Sequence, residues 1–537
     1  MKKVNLRDLY PDVYKTDHFV EVTEDVLETI RAAERAEAAY DRRMYRYKAH
    51  YSLDCDNGIE NAILLKPQSP ETLLEEKQLR EQKKITDLTQ GSIIRNLWIM
   101  AVPLISSSFI QMAYSMTDML WLGRLGSEAV AAVGAAGFFV WLSNALSYMT
   151  KTGAEITISQ AIGARDLPRA ATYANHAIIL SSLIGLGYVV FILIAAGFLI
   201  GFFNFDSPIA HQSVTYLRIV APGIFFQFNN NTFSGLYNGQ GNSKTPFRIT
   251  AVGLLINIVL DPLLIYGYGP LPGLGTAGAA IATILAQLVV CLLFARRIFS
   301  VHFPLGKMRP FSALQKKNSG RIILLGLPVS LQSALFSMFS LTLAALAARW
   351  GAVGVAAQSV GSQIEALSWM TATGFSTALA AFVGQNYGAG NYERIRQGYK
   401  LTLYIAGSIG LTAGILFFVF DRQIFSLFIP EPEAIDAGGT YLKILALSQV
   451  FMVTELVTQG AFNGCGKTIP PSLSGILFTG ARIPLAWYLC SLPALGLTGI
   501  WWSITISSIA KGTVLPIWYL YFQKKLLKAS KIKEKIL

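Results

Sequence analysis

Apolar residues run through most of this chain in long unbroken stretches separated by short polar breaks. A helix needs about 20 mostly apolar residues to cross about 30 Å of hydrocarbon. On that measure twelve spans are predicted, at 93–121, 128–160, 172–203, 209–238, 247–268, 275–298, 320–347, 353–386, 398–420, 437–463, 471–491 and 496–521. The stretches are continuous rather than alternating and too long for membrane strands of about ten residues. Residues 1–84 follow another pattern. V-T-E-D-V-L-E-T-I-R-A-A-E-R-A-E-A-A-Y-D-R-R at 22–43 predicts a charged helix capped by Thr23. D-C-D-N-G-I-E at 54–60 predicts a turn, and E-T-L-L-E-E-K-Q-L-R-E-Q at 71–82 a second helix. The fold class is therefore an all-α polytopic membrane protein with a soluble helical N-terminal extension.

Charge sharpens the division. Residues 1–84 hold 15 basic and 17 acidic residues, whereas the other 453 hold 30 basic and only 15 acidic ones. The second part is about 10% charged against about 25% in soluble domains, which excludes a soluble enzyme. Its basic residues gather in alternate loops: 22 of the 30 lie in the breaks after even-numbered spans, before the first span or in the tail. By the positive-inside rule both termini and the long 296–321 loop of this multi-pass protein face the cytoplasm. The positive charge thus records insertion rather than nucleic-acid binding, and no nucleic-acid partner is expected.

The spans also repeat. Pro103 matches Pro328, Q-A-I-G-A-R-D-L-P-R at 160–169 matches Q-N-Y-G-A-G-N-Y-E-R at 385–394, and Asn238-Gly-Gln-Gly matches Asn463-Gly-Cys-Gly, all offset by 225. Further on, G-L-G-T-A-G at 273–278 resembles A-L-G-L-T-G at 494–499 with an offset of 221. Six spans per half give parallel, pseudo-symmetric six-helix lobes, an architecture of transporters. The domains expected are the extension 1–84, an N-lobe 85–310 and a C-lobe 311–537.

Five carboxylates fall inside spans: Asp118, Glu155, Asp261, Glu365 and Glu455. Such groups are costly in a bilayer and face cavities or one another. Asp118, Asp261, Glu365 and Glu455 have no acidic counterpart in the other half, so the repeated fold does not require them. Ser107, Gln111, Tyr114 and Asp118 form one polar stripe on the first span. Asn257 and Asp261 share a face one turn apart, with Pro262 beside the acid. Glu155 lies one turn from Lys151, where an ion pair is expected. Lys443, Arg482 or Lys511 is a candidate ion-pair partner for Glu455. Aromatic and Met side chains, Phe336 and Met338 among them, are candidates with Gln111 and Tyr114 for lining a cation-accepting cavity.

M-A-V-P-L…Y-S-M-T-D-M-L-W-L-G-R-L-G at 100–126, the paired Q-x-x-G-A-x-x-x-x-R segments, N-G-x-G…K-T-P and I-N-I-V-L-D-P at 256–262 resemble the multidrug and toxic compound extrusion (MATE) antiporters, in particular the DinF- and MepA-like bacterial branches. The resemblance implies export of cationic or amphipathic small molecules in exchange for H⁺ or Na⁺ by alternating access, in a monomer within the lipid bilayer, with no enzymatic activity and no cofactor. It implies a proton-responsive N-lobe cluster of Asp118, Asn257 and Asp261. A fourth-span amide from Asn229–Asn231, with Asn231 as the candidate, and a sixth-span hydroxyl at Thr283 would complete it. Two carboxylates close together in a medium of low dielectric cannot both stay charged without cost. Protonation from outside would then neutralise the cluster and release a cationic drug. Glu365 and Glu455 resemble the acids that NorM-like members use for Na⁺, so the coupling ion stays open. Residues 1–84 resemble the front of short sigma-factor-like proteins but lack the helix-turn-helix that would follow. Two rival functions are a lipid-linked saccharide flippase, which would want a basic central cavity, and a membrane-tethered regulator acting through residues 1–84.

Overall fold

A computed structural model describes residues 2–5, 16–47, 85–268, 271–301, 303–308 and 314–536. The chain divides into two compact units, Met1–Ile85 and Thr86–Leu537. In the first unit β1 (Lys2–Asn5) pairs antiparallel with β2 (Phe19–Val22), and α1 (Glu24–Tyr47) follows. Leu27 N–H donates to the Thr23 carbonyl and two acids occupy the first turn, so the helix starts where the sequence places it. The strand pair corrects the expectation of a purely helical extension. At four residues each, the strands are too short for their alternation to register. The helix expected at 71–82 and the turn at 54–60 lie outside the described residues.

The second unit is helical. Its first half comprises α2 (Ile93–Gly123), α3 (Ser127–Gly163), α4 (Leu167–Gly201), α5 (Ser207–Gly239), α6 (Lys244–Tyr266), a two-residue hairpin of β3 (Gly267–Tyr268) and β4 (Leu271–Pro272), and α7 (Thr276–Ile298). The second half comprises α8 (Lys316–Ala347), α9 (Gly351–Gly388), α10 (Tyr392–Val419), α11 (Asp421–Ser426), α12 (Pro432–Ala446), α13 (Gln449–Gly464), α14 (Ile469–Gly480), α15 (Arg482–Ser491) and α16 (Thr498–Ile536). The Ala481 break between α14 and α15 has a local cause: Pro484 has no N–H to return to the Gly480 carbonyl. Between α12 and α13 the chain bends by 54°.

Eight helical stretches among the described residues are long and apolar enough to cross a membrane, or nine if α12 and α13 form one bent span. Twelve were expected. One of the eight runs continuously from Lys316 to Gly388 and so holds both α8 and α9. The remaining difference is α5 and α16, which carry Asn229–Asn231 and Ser507, Ser508 and Lys511 and are less apolar for that reason. Large apolar side chains stand on the outside of the bundle, among them Ile194, Phe198, Tyr404 and Leu411. That is the surface of a protein solvated by lipid.

In the first half α5 packs against α3, α4 and α7, while α6 packs against α2 and α7. In the second half α13 packs against α9, α10 and α16. The halves meet where α8 crosses α3 and where α9 crosses α2 and α3. Glycines allow the close crossings: a Cβ on Gly326 would overlap the Met149 carbonyl, and one on Gly374 would overlap Ile105. The repeat is visible in backbone detail. Gly390, just past α9, has φ +76°, and its mate Arg165, just past α3, holds the same left-handed conformation at φ +57°. Both turns close with the same reverse hydrogen bonds, Arg165 N–H to Ile162 O and Gly390 N–H to Tyr387 O.

Candidate functional site

The polar stripe of α2 faces α6. Pro103 inside α2 has no N–H for the Ile99 carbonyl, and that oxygen accepts instead from Ser243 Oγ at 3.4 Å. Tyr266 at the end of α6 donates to the Trp121 carbonyl at 2.6 Å, tying the other ends together. Between these ties Asp118 comes within side-chain reach of Asp261 and Asn257. Asn257 and Asp261 are fully buried, and Asn257 Nδ2 donates to Asp261 Oδ1 at 3.0 Å. The Tyr114 hydroxyl, one turn before Asp118, points towards both acids and Thr283, and the buried Tyr216 hydroxyl of α5 stands beside the same acids.

Asp118 Oδ1, Asp261 Oδ2, Asn257 Oδ1 and the Tyr114 hydroxyl are all buried without a hydrogen-bond partner. Three of these atoms are acceptors gathered around two carboxyl groups, a set completed by a proton or another small cation. Asp118, Asn257, Asp261, Tyr114 and Thr283 are thus together. Asn231 is elsewhere: its amide donates to Asn144 Oδ1 at 2.8 Å and Ser147 Oγ at 2.7 Å on α3. Asn230 donates to Gln287 and Asn229 accepts from Ser182, so each of the three asparagines ties α5 to a different helix. Gln111, Phe336 and Met338 are exposed.

A second polar cluster lies in the second half. Glu455 on α13 forms a buried ion pair with Lys511 on α16, Nζ to Oε2 at 2.9 Å. Glu365 on α9 accepts from the Tyr441 hydroxyl at 3.2 Å and from Gln449 Nε2 at 3.5 Å. Arg482 donates to Ser507 Oγ at 2.5 Å and Ser508 Oγ at 3.0 Å. Glu455 is therefore paired with one of the three bases open to it, whereas Lys443 pairs with Asp421 at 3.1 Å. The pair expected between Glu155 and Lys151 is not formed. The Lys151 ammonium stands over the Tyr148 ring at 5.1 Å, and Glu155 Oε1 is buried without a partner.

Breaking a buried pair leaves an uncompensated charge, at a cost of about 3–5 kcal/mol. Glu455→Gln is accordingly expected to lower the melting temperature of the purified protein, and Glu455→Gln with Lys511→Met to recover most of the loss. Equal melting temperatures for the single variant and the wild type would show that the pair carries no stability.

Sequence reasoning missed the join between the halves. Gln160 Nε2 donates to the Gly464 carbonyl at 3.0 Å while its Oε1 accepts from Arg321 at 3.2 Å. Its repeat mate Gln385 donates to the Gly239 carbonyl at 3.4 Å while its Oε1 accepts from Leu88 N–H at 2.8 Å. Donors and acceptors are both 225 residues apart, so each half clasps the other in the same way. A Cβ on Gly163 would overlap the Gln385 carbonyl oxygen, and one on Gly388 the Gln160 carbonyl oxygen. The signal lay in the paired Q-x-x-G segments, which mark the repeat and also form the clasp.

Known proteins resemble the chain over this whole region. The family model described as MatE matches residues 103–263 and again 328–488, two copies set apart by the same 225 residues. A probable multidrug resistance protein NorM of Thermotoga maritima is 28% identical over 455 residues, covering 82% of this chain and 96% of the relative. A probable multidrug resistance protein YoeA of Bacillus subtilis is 27% identical, covering 77% of this chain and 90% of the relative. A crystal structure of MATE in complex with MaL6 superposes with a TM-score of 0.78 at 26% identity, covering 82% of this chain and 99% of that one.

Proposed function

The chain belongs to the MatE family, membrane transporters and not enzymes, and from that premise we propose that it exports cationic or amphipathic small molecules in exchange for H⁺ or Na⁺. The observation that carries the coupling is the Asp118–Asp261 pair, with its partnerless oxygens gathered in the first half. The relatives named as multidrug resistance proteins support the substrate class. In this reading the twelve spans form two six-helix lobes in the bacterial inner membrane, with both termini cytoplasmic and the protein acting as a monomer. Substrate passes between the lobes, past exposed Gln111, Phe336 and Met338 and half-buried Tyr114.

Two adjacent carboxylates share one proton at least cost and then carry one negative charge. A second proton or a monovalent cation neutralises the pair, and the neutral pair no longer holds a cationic substrate. Entry of the ion from outside and departure of the drug are then alternative occupations of one site, which is exchange. Ethidium efflux in everted vesicles, driven separately by a pH gradient and by a Na⁺ gradient, tests the reading. Export under one gradient and not the other identifies the coupling ion, and export under neither sinks the proposal.

Residues 1–84 have no part in this cycle. Deleting them is expected to leave efflux within about twofold of the full chain, because the acid pair and the join between the halves are built wholly from later residues. Deletion through residue 90 is expected to abolish it. Thr86 N–H donates to Gln240 O, and the Leu88 carbonyl accepts from Asn386 and Arg394. Loss of efflux from the shorter deletion, with normal insertion, would return the function to the extension.

A further inference from the structure

The charges of the polar cluster around Glu365 and Glu455 balance. Glu365 and Glu455 supply two negative charges, Arg482 and Lys511 two positive ones, and all four lie within electrostatic range of one another. The guanidinium of Arg482 is charged at any working pH and is held in place by Ser507 and Ser508. Oxygen donors that suit a hard cation surround the acids. Gln449 Oε1 is buried without a partner beside Glu365, and Glu455 presents Oε2 to Lys511. A cation would fit such a donor set, but its place on Glu455 is filled by the Lys511 ammonium.

The backbone fixes the lysine there. Gly512 lets α16 approach α13 so closely that a Cβ would overlap the Phe451 carbonyl. Phe451 lies one turn before Glu455, so the crossing delivers Lys511 to that carboxylate. Lys511 is 7% exposed and Glu455 5%, so neither charge has water to turn to.

We propose that Lys511 is a specificity-determining residue for the coupling ion: its tethered ammonium occupies the second-half acid site and excludes Na⁺, leaving coupling to the Asp118–Asp261 pair. The inference rests on the exchange reading above and adds the reason that the second pair of acids does not serve as a metal site. Adding Na⁺ to this neutral quartet gives it one uncompensated charge. Removing the lysine leaves a net negative charge with carboxylate and amide oxygens free to hold the ion.

The test measures binding, so it stands apart from any failure of transport. Purified full-length protein is melted in NaCl and in choline chloride at equal ionic strength. Wild type is expected to show no Na⁺-specific shift that Glu455→Gln removes, and the lysine variants are read against that baseline. Lys511→Met is expected to melt about 2–4 °C higher in NaCl than in choline chloride, the size of shift a ligand well above its dissociation constant gives. Lys511→Arg keeps the positive charge and is expected to show none. Adding Glu455→Gln to Lys511→Met is expected to remove the gain. Two results would overturn the proposal. One is Na⁺-specific stabilisation of wild type that disappears in Glu455→Gln, which needs no lysine variant to fold. The other is a folded Lys511→Met protein with no Na⁺-specific shift. Transport can fail for other reasons with these melting curves unchanged, and the curves can contradict the proposal while proton-driven efflux persists.

Discussion

An Asp118→Asn protein is expected to insert and fold as wild type does and yet to lose gradient-driven efflux by at least about tenfold, the behaviour of an ionisable group that serves as a relay inside a membrane. The structure gives the reason. Asn257 already donates to Asp261, and Asp118 brings a second carboxyl group to the same spot without a donor for its buried oxygen. The amide of asparagine is nearly the shape of the acid and supplies a donor, so packing survives and the local hydrogen bonding improves. What the variant lacks is a second acid to share or release an ion. It is expected to hold its melting temperature or raise it while losing exchange, a split that a merely structural aspartate would not produce. Asp261→Asn removes the acceptor of the Asn257 bond as a carboxylate and is expected to lose efflux and some stability together. Normal efflux by Asp118→Asn under the gradient that drives wild type would remove the acid pair from the mechanism.

How much of this was legible in the sequence depends on the distance over which each feature is encoded. Asn257 and Asp261 are four apart on one helix, and helix geometry alone puts them on one face. Asp118 joined them through the family resemblance, and the structure brings the three together. The three asparagines of α5 were not separable by pattern. Consecutive residues point about 100° apart on a helix, so each meets a different neighbour, and the neighbours are set by tertiary packing. The partner of Glu455 was open among three bases because the choice depends on where α16 crosses α13, and Gly512 decides that crossing. Lys151 lies one turn from Glu155, yet its ammonium stands over Tyr148, because a flexible side chain has more than one favourable neighbour. The α5 and α16 spans are the ones whose polar residues lower their apolarity. Most of those residues are bonded within the bundle, so hydropathy understates how a helix is solvated by its neighbours.

The other large effect is expected from Gly163→Val at the clasp between the halves. The Gly163 Cα faces the Gln385 backbone, and a side chain there overlaps a carbonyl oxygen rather than the movable end of a side chain. Backbone on both sides leaves no rotamer change to absorb it. The α3 and α9 ends would have to separate, breaking the Gln160–Gly464 and Gln385–Gly239 bonds together. An exchanger must close this end in one part of its cycle, so the variant is expected to fold, to lose efflux by at least about tenfold, and to rest with this end open. The chain carries its own reporter. Cys465 follows Gly464, is 4% exposed and packs into the core beneath the clasp. In protein whose other cysteines, Cys55, Cys291 and Cys490, are replaced by Ser, maleimide labelling of Cys465 in membranes is expected to be slow and to accelerate severalfold with Gly163→Val. Gly388→Val, its repeat mate, should act in the same way, because its Cα faces the Gln160 backbone. Val at Gly137, with nothing around its missing Cβ, is the control that should change neither rate nor efflux. Slow labelling in an inactive Gly163→Val protein would mean that the lost activity comes from somewhere other than this join. Fast labelling in only one of the two variants would mean that the clasp, although built twice, bears load on one side.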